Sequence, residues 1–82
     1  MDKELICSIE NYIKNTLPKD SKYVENSLRI KSLYVDNFDE EKTSLNADIQ
    51  FEFLSSMNAV ETKEIKGLQI TLNMGEERVS VG

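Results

Sequence analysis

The sequence predicts a single α+β domain over residues 1–82, with an N-terminal amphipathic helix packed on one face of a three- to five-stranded, mostly antiparallel sheet. Three observations carry this expectation. An apolar stripe at helical spacing runs from Leu5 to Leu17 and stops at Pro18. The stretch LNADIQFEF, residues 45–53, alternates apolar and polar residues without a break. The stretch GLQITLNM, residues 67–74, alternates in the same way and leads into Gly75. A chain of 82 residues has room for one core only, and no Gly/Ser-rich linker or internal repeat divides it.

The helix comes first. Leu5, Ile6, Ile9, Tyr12, Ile13 and Leu17 fall on one stripe when wound at about 3.6 residues per turn. Asp2 is placed to cap its start, and Cys7 projects from the far side. Pro18 ends it, because proline biases Leu17 away from helical torsions and lacks the N–H that a helix needs.

The next segment, SLRIKSLYV, does not alternate cleanly. Leu28, Ile30 and Tyr34 share one parity, and Leu33 and Val35 share the other. A β-bulge near Ser32 would bring both sets to one face; otherwise the strand is apolar on both faces and the second face is covered by a partner. DNFDEEKT, residues 36–43, then reads as a strand-connecting loop between a strand ending near Val35 and one starting near Leu45, with Phe38 tucked back on the core. In the two clean strands, Leu45, Ala47, Ile49, Phe51 and Phe53 point inward, as do Leu68, Ile70, Leu72 and Met74. Residues 56–66 fit either a short helix or a hairpin arm; their apolar positions line up poorly on a helix, which favours the arm. Gly75 turns the chain into a terminal strand, RVSV.

The formal net charge is −5, and it is unevenly placed: residues 14–31 carry +3 and residues 36–64 carry −6. A dipolar molecule follows. Its acidic excess repels phosphate, so nucleic-acid binding is disfavoured unless Lys14, Lys19, Lys22, Arg29 and Lys31 form a separate basic face. The single Cys7 cannot form an internal disulfide, and the opening MDKE leads into no signal or membrane-spanning segment, so a cytoplasmic, reducing setting without a membrane partner is expected.

Most catalytic chemistries lack their residues. The sequence contains no histidine, which removes Ser-His-Asp and Cys-His arrangements and histidine-ligated zinc. The S-x-x-K spacing does not occur, and Gly67, Gly75 and Gly82 are too far apart for a phosphate loop. Asp48 and Glu52 share a strand face but stand roughly 13 Å apart, beyond the roughly 5–9.5 Å that a glycosidase pair needs. DNFDEEKT lacks the glycine and the ligand spacing of a calcium loop. Cys7 reads as an incidental thiol, and Phe51 and Phe53 read as core rather than as a base-stacking platform. No cofactor, metal site or enzymatic activity is expected.

A binding protein is therefore the expectation, in one of two forms. In the first, the chain associates with another protein or with itself through its sheet, and the SLYV segment with Leu33 and Val35 makes a homodimer. In the second, Asp36, Asp39, Glu40, Glu41, Asp48 and Glu52, joined by Glu61 and Glu64, occupy a basic nucleic-acid-binding groove of a target protein. Small acidic α+β chains of this kind resemble, in type only, inhibitors encoded by phages or mobile elements.

Overall fold

The structure, a computed structural model, describes residues 3–82, so the expected cap Asp2 lies outside the described residues. It is an α+β fold with one helix on an antiparallel sheet of five strands. Helix α1 spans Lys3–Thr16 and buries Leu5, Ile9 and Ile13, the last two completely. Its end is closed by local bonds: the Leu17 amide and the Thr16 hydroxyl both donate to the Ile13 carbonyl, at 3.0 and 3.2 Å. Pro18 follows, where no further turn is possible.

The strands are β1 (Lys22–Tyr23), β2 (Arg29–Phe38), β3 (Lys42–Leu54), β4 (Val60–Asn73) and β5 (Arg78–Val81). Strand β3 is central. It pairs on one side with β4, and on the other with β1 at one end and β2 along the rest, while β5 lies outside β4. The alternation in β3 does what its pattern implies: Leu45, Ala47, Ile49 and Phe51 are buried under α1, matched across the sheet by Leu68 and Ile70 on β4. Residues 60–66 are strand, as the hairpin arm required, and the chain turns at residues 55–59, where the Ser55 amide donates to the Ala59 carbonyl at 2.8 Å.

Bulges decide which side chains face the helix. The β2–β3 register shifts once at Lys31 and again at Asp36. Ile30, Leu33, Val35 and Phe38 consequently lie opposite Ile49, Ala47, Leu45 and Thr43, all on the helix side. The bulge expected near Ser32 is thus present, one residue earlier, and Tyr34 alone of the apolar residues in the stretch turns to the other face. A third shift, in β4, sets Lys66 and Gly67 against Asp48. Gly67 has φ of 69°, a conformation open to glycine and strained for most side chains.

Three sequence expectations need correction. Residues 36–43 are not a loop throughout: β2 continues to Phe38, β3 begins at Lys42, and Asp36 is inside a strand. Phe38 does not tuck onto the core but is 75% exposed. Met74 lies past the end of β4 and is exposed rather than inward and buried. Met74 is exposed because it belongs to the turn between β4 and β5, and a length mismatch explains Phe38. A 14-residue helix rises roughly 21 Å, whereas 13 residues of strand extend roughly 43 Å, so α1 covers about half of β3 and its neighbours. The protein is accordingly elongated, at 46 × 22 × 19 Å.

Candidate interaction surface

The residues expected to bind a partner divide into three places. Asp36 sits at the second bulge of β2, and Asp39, Glu40 and Glu41 form the turn into β3. This turn is ordered by its own groups: the Asp39 amide donates to the Lys42 carbonyl at 2.8 Å, and the Asp39 carboxylate accepts from the Glu41 amide at 3.4 Å. Asp48 stands seven residues further along, roughly 23 Å in extended strand, and Glu52 roughly 13 Å beyond that. The six carboxylates do not make one site.

Asp48 has a structural task. Its Oδ1 accepts the Gly67 amide at 3.0 Å, satisfying the N–H that the β4 bulge turns out of the ladder, and the Tyr34 hydroxyl donates to its Oδ2 at 3.5 Å. Asp48→Ala is expected to lower stability by about 1 kcal/mol, with Asp48→Asn closer to the unmutated protein because an acceptor remains. Urea unfolding midpoints check this; equal midpoints for all three would mean that the carboxylate does not support the bulge.

The acidic end extends beyond the Asp36–Glu41 run. The Met74 amide donates to the Glu41 carbonyl at 2.8 Å, which places the β4–β5 turn, with Glu76 and Glu77, beside Asp39–Glu41. Glu4 reaches the same end, lining a shallow depression with Leu72, Met74 and Glu77. The available signal was Gly75, whose hairpin implies that the residues on either side of it flank the start of β3. Arg78 offsets little of this charge: its contact with Glu76 is 4.0 Å long and both side chains are exposed.

The basic segment is spread rather than gathered. The Lys14 ammonium meets Glu25 at 3.0 Å and lies 5.7 Å from the centre of the Tyr23 ring, and Glu25 holds its pKa above the usual lysine value. Arg29 donates to the carbonyls of Asn26 and Leu28, at 3.5 and 3.3 Å. Lys31 occupies the first bulge of β2.

Leu33 and Val35 belong to a different feature. On the helix-side face beyond the reach of α1, they are 41% and 65% exposed, with Phe38 next along the row. Of the seven exposed large hydrophobic residues among those described, four (Leu33, Tyr34, Val35 and Phe38) lie on β2. Among the described residues β2 pairs only with β3, so its outer edge keeps unpaired backbone donors and acceptors beside this apolar row. No group of His, Cys, Asp or Glu among the described residues is arranged to hold a metal ion, and no described helix is long and apolar enough to cross a membrane. No protein-family profile, curated protein or solved structure matches the chain.

Proposed function

We propose that the chain is a non-catalytic binding protein that associates with another protein or with itself through the free edge and open apolar row of β2. The observation that carries this reading is the concentration of exposed apolar side chains along a strand with no outer neighbour among the described residues. An added strand would complete the backbone hydrogen bonds of β2 while covering Leu33, Val35 and Phe38, so affinity and specificity would come from one contact. The absence of histidine from the sequence supports the non-catalytic part of the reading.

The acidic end favours a second reading, a surface that occupies a basic groove of a nucleic-acid-binding protein, because the β4–β5 turn brings Glu76 and Glu77 beside Glu41. Salt separates the two readings, since contact between exposed charges weakens steeply with ionic strength and apolar strand pairing does not. The test immobilises the unmutated chain and a Leu33→Glu/Val35→Glu double variant and exposes both to extract of the cells that make the protein. The expected result is a protein retained by the unmutated chain in about 0.5 M salt, where the Debye length is only a few ångströms, and lost by the double variant. Equal retention by both chains overturns the β2 reading; retention that disappears as salt rises favours the acidic one.

A further inference from the structure

We infer that the strand added to β2 is the β2 of a second copy of this chain, paired antiparallel about a two-fold axis through Tyr34. This rests on the β2 edge being the binding surface and names its occupant. A regular strand alternates faces, but the shifts at Lys31 and Asp36 leave Ile30, Leu33, Val35 and Phe38 on the helix side, at spacings of three, two and three. That order reads the same in both directions about Tyr34.

In an antiparallel pair, directly opposed residues share a face. With Tyr34 opposite its own copy, Leu33 meets Val35 and Ile30 meets Phe38, so all four apolar residues of each helix-side row find apolar partners. A two-fold axis at Leu33 instead would set Val35 against Lys31 and Ile30 against Asp36. An axis at Val35 would set Leu33 against Asn37 and Phe38 against Ser32. Only the Tyr34 register matches the whole row.

Charge favours the same arrangement. Arg29 of one copy comes level with Asp39 of the other, and Lys31 comes level with the Asp36–Asn37 segment, each contact occurring twice across the axis. The remaining edges suit self-pairing less. The part of β4 left uncovered by β5 carries Glu61, Lys63, Glu64 and Lys66 within its first seven residues, charges of the kind that discourage edge pairing, and β5 has four residues.

Pairing of this length falls at the small end of stable interfaces, around 1,200 Å² or below, so dissociation constants near the micromolar range are expected. Sedimentation of the purified chain at about 100 μM should give twice the 9.4 kDa chain mass, falling to monomer on dilution. Val35→Glu should remain monomeric at the same concentration with unchanged far-UV circular dichroism, since Val35 is exposed in the single copy. Register is read by cross-linking in a Cys7→Ser background, needed because Cys7 is itself an exposed thiol. Tyr34→Cys should oxidise to a covalent dimer, its thiol facing its own copy, and Leu33→Cys should not, because Leu33 faces Val35.

A monomer at about 500 μM overturns the self-pairing, and β2-dependent capture from extract then still decides whether the edge binds something else. A dimer that survives Val35→Glu places the contact elsewhere. Cross-linking at Leu33→Cys without cross-linking at Tyr34→Cys overturns the register.

Discussion

Phe51→Ala is expected to leave most of the chain unfolded at room temperature. At roughly 0.05–0.15 kcal/mol per residue a domain of this length has about 4–12 kcal/mol of stability, and a small core without a disulfide falls toward the low end. Removing a buried phenylalanine ring costs about 3–5 kcal/mol, through lost transfer energy and through the cavity that remains. Phe51 is 2% exposed on the central strand, with its ring centre 6.2 Å from Tyr23 and 6.3 Å from Phe53. Little can collapse into the space. The ring belongs to the core cluster that includes the buried residues of α1 and Tyr23, and β3 beneath it is held by ladders on both sides. Phe53→Ala should cost less, because that ring is only partly buried. Circular dichroism and urea unfolding read the difference; a Phe51→Ala chain with a cooperative transition within about 1 kcal/mol of the unmutated one would mean that the ring does not anchor the core.

Where one face of an element is covered, its pattern was legible. Helix α1 and the strands β3 and β4 under it follow their apolar spacing because burial penalises every polar residue on the inner face. Beyond the helix that pressure stops. The outer end of the β2–β3 hairpin is solvated on both faces, so Asp36 and Lys42 sit in strands although their composition resembles a loop. Strand β2 resisted for a second reason: each bulge inverts the parity of everything after it, and two bulges within six residues leave no run long enough to show a period. For the candidate surfaces, sequence singled out Leu33 and Val35 but not Phe38, which an assumed fold-back had placed in the core. It counted the carboxylates of the acidic hairpin but could not see which turn lies beside it, since that depends on a bond from Met74 to Glu41 across more than thirty residues. Asp48 had a readable clue in Gly67, because a glycine inside a strand pattern often marks a bulge whose free amide needs an acceptor.

Alkaline solution should destabilise the fold through Tyr23, a residue on a two-residue strand too short to show any periodicity. Its ring is 5% exposed against Phe51, and its hydroxyl donates to the Glu10 carboxylate at 2.7 Å, tying β1 to α1. Burial first, and then the bond to Glu10, push the phenol up to about 12 from the ordinary value of 10.0. Both causes favour the neutral phenol, which keeps its donor and carries no charge into the core. A group whose folded value lies above its unfolded one contributes its full stability below the unfolded value. That contribution, about 2–3 kcal/mol, should therefore be complete below about pH 10 and lost as pH rises through about 12. Lys14, held above its own ordinary value chiefly by Glu25, acts in the same direction, so the phenol has to be isolated by substitution. Tyr23→Phe should lose about 1 kcal/mol near neutrality with the hydrogen bond, and then show a shallower decline across the alkaline range than the unmutated protein. Urea unfolding followed from about pH 9 to 12, with phenolate absorbance recorded in parallel, measures both effects. Identical slopes for the two proteins would mean that the Tyr23–Glu10 contact has no part in the alkaline loss.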